Sequence, residues 1–211
     1  MSVEKIYEAV LDYDDDEVVE LVTAELAKGT DPQTMLDNGL VAALDTVGEQ
    51  FSEGMLFVPE MLMAADAVKA GLDLLRPILA ETGVKPIGTV VIGTVKGDLH
   101  DIGKNLVSMV LEGAGFRVVD LGTDVEPERF VDAAQENDAD IVAFSALLTT
   151  SMSAMEKAVG VVCKANENSN LNVRILVGGP PVTDDFAAKI GADGYGVDAP
   201  TAVGLARGFV Q

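Results

Sequence analysis

The most constraining feature of this sequence is a repeated alternation of strand and helix patterns from Ile87 to the C-terminus. Short apolar, β-branched runs predict strands, and amphipathic runs predict the helices that follow them. Because the strand runs show little alternation of polar and apolar residues, both faces of each strand should be covered. The pattern therefore predicts a doubly wound parallel sheet whose strands are joined by right-handed crossovers.

The predicted sheet has five strands, each followed by a helix. The strands are expected at Ile87–Val95, Phe116–Asp120, Ile141–Phe144, Val173–Val177 and Gly194–Tyr195. The helices are expected at Asp101–Ala114, Pro127–Asn137, Ser151–Asn166, Thr183–Ile190 and Pro200–Phe209. By analogy with known folds, we expect a flavodoxin-like (Rossmann-like) sheet with the strand order 2-1-3-4-5.

The first 82 residues follow a different pattern, with apolar positions at helical spacing and no alternating β-branched runs. Asp31 and Pro32 suit the N-cap and first turn of a helix, and Gly29 suits the end of the one before. These signals predict a four-helix bundle with short loops. The chain is therefore expected to be an α/β protein with a helical domain at 1–82, a linker at 83–86 and an α/β domain at 87–211.

Composition excludes several classes of partner. The chain has 211 residues and a formal net charge of -21, so it should repel nucleic-acid phosphates and anionic membranes. Its single cysteine, Cys163, allows no intrachain disulfide and favours the reducing cytoplasm. Met1–Lys5 has no signal-peptide pattern, and no apolar run is long enough to span a bilayer.

The candidate site lies in the loops that follow three of the predicted strands. Ligands of open α/β sheets bind outside the carboxyl ends of the strands. The loops there carry the segments Gly97–Gly103, Ser145–Ser151 and Gly178–Pro181. His100, the only histidine of the chain, is in the first of them. Small and hydroxyl-bearing residues in three converging loops, beside one imidazole, predict a deep slot with one metal ligand.

Each loop taken alone also has an ordinary structural interpretation. A single histidine is often structural, and Asp101 and Ser151 both suit helix N-caps. The glycine pair suits a tight turn as well as a close approach of the backbone to a ligand. Asp98 precedes His100 by two residues and could accept a hydrogen bond from the imidazole nitrogen that does not bind metal.

A single candidate metal ligand, His100, limits which metal-containing cofactors the site could hold. There is no second histidine, and no cysteine lies nearby, which argues against a structural zinc site. A single protein ligand fits a macrocycle that brings its own ligands, so iron porphyrin and cobalt corrin are the options. Gly93–Asp98 matches neither a Walker loop nor a dinucleotide-binding loop.

The segment Gly93–Asn105 resembles the cobalamin-binding motif of cobalamin-dependent methionine synthase and of methyltransferase corrinoid proteins. The family pattern is D-x-H-x-x-G, then S-x-L, then G-G. The chain has all three in order, as Asp98/His100/Gly103, Ser145/Leu147 and Gly178/Gly179. Val47–Glu60 is similar to the signature of the same family's helical module, so the resemblance covers nearly the whole chain. One departure is Pro180-Pro181 after the glycine pair, which leaves the shape of that loop open.

The resemblance implies roles for particular residues. His100 would be the lower axial ligand of cobalt in a base-off/His-on cobalamin, with Asp98 bonded to His100 and Ser151 bonded to Asp98. The implied cofactor-binding residues of the α/β domain are Gly97, Asp98, Leu99, His100, Asp101, Gly103, Ser145, Leu147, Thr149, Gly178, Gly179 and Ala199. Phe51 and Val58 of the helical domain would cover the upper, reactive face of the corrin, which makes this domain a cap; the alternative for them is ordinary bundle core.

The resemblance also implies a function. Small corrinoid proteins of methylamine and methanol systems use methylcobalamin or a related corrinoid to carry a methyl group from a donor to an acceptor. The expected partners are a cognate substrate methyltransferase, a second methyltransferase that serves a thiol coenzyme or a tetrahydrofolate-type acceptor, and a reductive activation protein. The chain would be a carrier component rather than a stand-alone enzyme. The alternatives are a cobalamin-binding sensor and the small subunit of an adenosylcobalamin mutase.

A methyl carrier must expose its cobalt to more than one protein, so the helical domain should move. The hinge is expected at Thr82–Pro86, which is short and contains Gly83 and Pro86.

Overall fold

The computed structural model describes residues 3–81, 86–168 and 171–211. These residues form two compact units. The first contains the helices that precede Pro86, together with Glu112–Gly115, and the second contains Ile87–Leu111 and Phe116–Gln211. Of the predicted hinge, Thr82–Lys85 lie outside the described residues, so the linker and its motion stay predictions.

The first unit is helical throughout its described elements. These are α1 (Val3–Leu11), α2 (Asp15–Lys28), α3 (Pro32–Met35), a π-helix (Leu36–Val41), α4 (Ala42–Ser52) and α5 (Val58–Glu81). Because α3, the π-helix and α4 follow one another without a break, the described residues contain four helical runs, and the predicted four-helix architecture is confirmed.

Local capping chemistry sets several of these helix ends. The Asp31 carboxylate accepts a hydrogen bond from the Thr34 backbone N–H at 2.9 Å, and Pro32 occupies the first turn of α3. Gly29 ends α2 with a φ of 80°, in the left-handed region that favours glycine. The π-helix was not predicted. It places Gly39 so close to α1 that an added Cβ would lie 3.1 Å from Cγ2 of Ile6, a long-range contact that helical periodicity does not encode.

The second unit is a five-stranded sheet with parallel pairing throughout. Its strands are β1 (Thr89–Thr94), β2 (Arg117–Asp120), β3 (Ile141–Ser145), β4 (Arg174–Gly178) and β5 (Gly194–Gly196). Their order is β2-β1-β3-β4-β5, as predicted. The helices after them are α6 (Ile102–Gly113), α7 (Pro127–Glu136), α8 (Met152–Asn168), α9 (Asp184–Ile190) and α10 (Ala199–Val210). The Rossmann-like fold prediction is thus confirmed, with shifts of one or two residues at most element ends.

The core of the second unit places β1, β3 and β4 against α7 and α8. All six residues of β1 are buried, and the rings of Phe130 in α7 and Phe144 in β3 pack at 4.5 Å between centroids with their planes tilted by 45°. An added Cβ at Gly93 would lie 2.9 Å from the Phe130 ring, so glycine lets α7 pack closely on β1. β1 leads from this packed core directly into the loop that carries His100.

Candidate cobalamin site

The carboxyl ends of β1, β3, β4 and β5 are aligned in one row. Thr94 pairs with Ser145, Ser145 with Gly178, and Gly178 with Gly196. Backbone hydrogen bonds continue beyond the strands. The Val95 N–H donates to the Ser145 carbonyl at 3.0 Å, and the Ala146 N–H donates to the Gly178 carbonyl at 3.2 Å. The three predicted loops therefore meet at one edge of the sheet.

Asp98 is the centre of the hydrogen bonds at this edge. It is fully buried, and its carboxylate has five donors around it. Oδ1 accepts the His100 backbone N–H at 3.1 Å and lies 2.7 Å from Nδ1 of the His100 ring. Oδ2 accepts the N–H groups of Leu147 and Leu148 at 2.8 and 3.2 Å and the Ser151 hydroxyl at 2.8 Å. Residues some 50 positions apart in sequence thus share one carboxylate.

These donors keep Asp98 ionised. Burial alone would raise its pKa, but the hydrogen bonds from Leu147, His100 and Ser151 outweigh burial and hold the pKa of Asp98 well below its ordinary value of 3.8. An ionised carboxylate can only accept hydrogen bonds, so the proton of a neutral His100 ring belongs on Nδ1. Nε2 then keeps its lone pair, which is the form of imidazole that binds a metal.

The surroundings of His100 suit a large apolar ligand. The His100 side chain is 50% exposed, although the Asp98 that holds it is buried. Leu99 and Ile102, on either side of the histidine, are 74% and 75% exposed, and Leu147 from the second loop is 41% exposed. Apolar side chains exposed around a half-exposed imidazole fit the face of a macrocycle better than they fit a surface in contact with water.

The glycines of the site have different structural roles. Gly179 has a φ of 122°, and an added Cβ there would lie 1.9 Å from the Ala146 carbonyl oxygen; at Gly178 it would lie 3.0 Å from the Gly196 carbonyl. The glycine pair is therefore needed for packing between loops. At Gly103, in the first turn of α6, an added Cβ would meet nothing within 4 Å. Since glycine weakens a helix by about 0.5–1 kcal/mol relative to alanine, open space here fits a ligand that passes close to the backbone.

Ser151 and Asp101 were open to two interpretations. The Ser151 hydroxyl lies 2.8 Å from both the Asp98 carboxylate and the Leu148 carbonyl, and it shares its one proton between these two acceptors. Asp101 is exposed immediately before α6, and its backbone carbonyl accepts the Asn105 N–H at 2.7 Å.

The remaining predicted residues belong to several different elements of the fold. Thr149 is exposed in a short 3-10 turn, Thr149–Ser151, and Gly97 is exposed with a φ of 82°. Ala199 is buried at the start of α10. Phe51 is half-buried in α4 and Val58 is 42% exposed at the start of α5, both in the helical unit. Their predicted covering role stays a prediction.

Three further residues support the loop that carries His100, and they were not predicted from the sequence. Thr94 is fully buried and donates its hydroxyl to the His100 carbonyl at 2.8 Å. Lys104 is 2% exposed, and its amine donates to Asp120 at the end of β2. Asp124 accepts the Gly97 N–H at 2.9 Å from the loop after β2. No local signal distinguishes these residues in the sequence, since β1 contains a second threonine, Thr89, at its other end.

A protein-only metal cage is not seen among the residues that the structure describes. Within 3–81, 86–168 and 171–211, no group of three or more His, Cys, Asp or Glu side chains is placed to hold a metal ion. None of the helices in these ranges is long and apolar enough to cross a membrane.

Comparison with family models decides which macrocycle the site takes. A model described as a B12 binding domain matches residues 88–204, and a second B12 binding domain model matches residues 2–76. The chain belongs to the B12-binding domain family. The predicted resemblance and the predicted cofactor, cobalamin, are therefore confirmed, and the iron porphyrin option is excluded.

Similar proteins include several from species of Methanosarcina. The chain is 42% identical to trimethylamine corrinoid protein 1 of Methanosarcina mazei over 201 residues, which is 94% of this chain and 92% of that protein. It superposes with a TM-score of 0.84 on the methanol:cobalamin methyltransferase complex MtaBC from Methanosarcina barkeri, with 32% identity over 99% of this chain and 79% of that one. A cobalamin-binding protein from Desulfitobacterium hafniense DCB-2 gives a TM-score of 0.81 and 30% identity, covering 99% and 98% of the two chains.

Proposed function

We propose that this chain is a corrinoid methyl carrier that binds cobalamin base-off, with Nε2 of His100 as the lower axial ligand of cobalt. Its relatives named as trimethylamine and dimethylamine corrinoid proteins support the carrier function. The observation on which the ligand assignment rests is the 2.7 Å contact between Asp98 Oδ1 and His100 Nδ1. When bound, the corrin cobalt supplies the centre that accepts a methyl group and passes it on.

Asp98 fixes both the orientation of the imidazole and the nitrogen that carries its proton. Because the carboxylate lies on the Nδ1 side, it favours the tautomer in which Nε2 can bind a metal. Leu147 and Ser151 hold Asp98 in place.

The loops at the sheet edge would hold the nucleotide tail that His100 displaces. Gly103 leaves room beside the first turn of α6, and Ser145, Leu147 and the glycine pair line the ends of β3 and β4. Leu99 and Ile102 offer apolar surface beside the imidazole for the corrin ring itself. Ala199 at the start of α10 would lie near the far end of the tail.

The proposed partners follow from the role of a carrier. MtaBC is a complex with a methyltransferase, which supports a cognate substrate methyltransferase as the partner that loads this chain. A second methyltransferase would unload it to a thiol coenzyme or a tetrahydrofolate-type acceptor, and a reductive activation protein would restore oxidised cobalt. We propose the cytoplasm as the site of this reaction. Loading assays with trimethylamine and methanol, each with its methyltransferase, would identify the donor.

The ligand assignment can be tested with unusual clarity because the chain has one histidine. Protein grown with 15N-labelled histidine is reconstituted with cobalamin and reduced to the cobalt(II) form. A bound 14N nucleus splits the EPR lines of cobalt(II) into triplets, and a bound 15N nucleus splits them into doublets. We expect doublets from the labelled protein and triplets from unlabelled protein.

His100→Ala provides the complementary variant. It should lose the splitting that depends on the label and should weaken cobalamin binding or methyl transfer. Triplets that persist in the 15N-histidine protein would show that the native benzimidazole base still binds cobalt, and would overturn the proposed ligand.

A further inference from the structure

We propose that Thr94 is a positioning residue for the axial ligand, acting through the backbone of His100. The inference rests on the proposed ligand role of His100. It starts from one contact, the hydrogen bond that the Thr94 hydroxyl donates to the His100 carbonyl oxygen at 2.8 Å.

Thr94 occupies a place where an apolar residue would serve the sheet equally well. It ends β1, whose six residues are all buried, and its own exposed fraction is 0%. Four of the other five residues of this strand are Val90, Val91, Ile92 and Gly93. Valine has nearly the same shape as threonine and high strand propensity, so packing alone gives no reason for a hydroxyl here. A buried hydroxyl is unfavourable unless it is hydrogen-bonded, and the His100 carbonyl is the partner that it has.

The backbone of Thr94 is itself anchored. Its N–H donates to the Gly122 carbonyl at 2.9 Å, and its carbonyl accepts the Val125 N–H at 3.0 Å. Its pairing with Ser145 places it in the row of residues that ends the sheet. The hydroxyl therefore extends a rigid element toward the histidine, rather than joining two mobile loops.

Thr94 and Asp98 hold opposite sides of the same residue. Asp98 accepts the His100 backbone N–H and contacts the ring at Nδ1, while Thr94 binds the carbonyl. With only Asp98 in place, the carbonyl side of His100 would have no contact with β1, and the Cα atom that carries the ring could shift with the loop backbone. With both contacts, the direction of Nε2 is set before any ligand arrives, and less conformational entropy is lost on coordination.

The test separates coordination by His100 from binding of the nucleotide tail. Aquacobinamide, a corrinoid without the nucleotide base, is titrated into cofactor-free protein, and the spectral change on imidazole coordination is followed. Thr94→Val and Thr94→Ala remove the hydroxyl with different side-chain volumes, and Thr94→Ser restores it. Thr89→Val is the matched control, because Thr89 is also buried in β1 but lies at the end of the strand away from His100.

We expect both hydroxyl-free variants to weaken His100-dependent binding of aquacobinamide by about 5-fold, the effect of one hydrogen bond of ordinary strength. Thr94→Ser and Thr89→Val should stay within about 2-fold of wild type. A role in stability alone would lower the unfolding temperature of a variant without changing its affinity at temperatures where it is fully folded.

A second measurement needs no corrinoid. Amide hydrogen exchange at Leu99, His100 and Asp101 in the cofactor-free protein should be faster in Thr94→Val than in Thr89→Val. Equal exchange, together with equal affinity of these two variants for aquacobinamide, would overturn the inference. The proposed function fails in a different way: His100→Ala would then give the same spectrum and affinity as wild type.

Discussion

Replacing Asp98 by asparagine should destabilise the protein and also place the imidazole proton on the wrong nitrogen. The substitution keeps the size and shape of the side chain. One of the two carboxylate oxygens, which only accept hydrogen bonds, is replaced by an NH2 group, which only donates them. If the amide nitrogen faces His100, it opposes the His100 backbone N–H and forces Nδ1 to act as acceptor. The ring proton then moves to Nε2, and the nitrogen that is proposed to bind cobalt loses its lone pair.

The structure sets the size of the effect on stability. In this arrangement the His100 N–H loses its partner, which costs about 1–3 kcal/mol for a buried donor. Leu147, Leu148 and Ser151 keep an acceptor, but it is neutral rather than charged, which costs roughly another 1 kcal/mol in total. Asp98→Asn should therefore lower the free energy of unfolding by about 2–4 kcal/mol.

The effect of this substitution should depend on pH. Because the pKa of Asp98 is lower in the folded protein than its ordinary value of 3.8, its charge stabilises the fold above that value. That stabilisation is lost as the pH falls from about 4 toward the lower folded pKa. The loss of stability caused by Asp98→Asn should thus become smaller as the pH falls below about 4.

The assay is urea unfolding of cofactor-free protein, followed by circular dichroism, at several pH values. Asp101→Asn is the control, since it changes the net charge equally at an exposed position in the same loop. Two results would refute the central role of Asp98 in the loop hydrogen bonds. One is an equal loss of stability in Asp98→Asn and Asp101→Asn; the other is a stability difference between wild type and Asp98→Asn that does not become smaller in acid.

Two glycine substitutions should separate packing from ligand binding. Gly179→Ala should sharply lower the unfolding temperature or abolish soluble expression, because its Cβ would lie 1.9 Å from the Ala146 carbonyl oxygen; Gly160→Ala in α8, where an added Cβ meets nothing within 4 Å, should keep or raise that temperature. Gly103→Ala should likewise leave the cofactor-free protein at least as stable as wild type, yet weaken cobalamin binding several-fold in a spectral titration. Unchanged binding by Gly103→Ala would contradict the proposed close passage of the nucleotide tail.

Local sequence patterns determined the element types and the three loops of the site, while analogy with known folds supplied the order of the strands. The N-cap at Asp31 and the helix end at Gly29 depend on the chemistry of a few neighbouring residues, so the sequence alone predicts them. Apolar strands followed by amphipathic helices restrict the topology for a similar reason, since short connections and right-handed crossovers allow few arrangements. The family motif added the roles of Asp98 and His100.

The tertiary structure alone decided which atoms meet. The register of β1 with β3 places Thr94 beside Ser145, and the hydroxyl that holds the His100 carbonyl is recognisable only once that row is known. The same holds for Gly179, whose missing Cβ makes room for the Ala146 carbonyl, and for the π-helix at Leu36–Val41. Periodicity reports which face of an element is buried, whereas contacts between residues far apart in sequence depend on how the elements pack, and packing is a property of the whole chain.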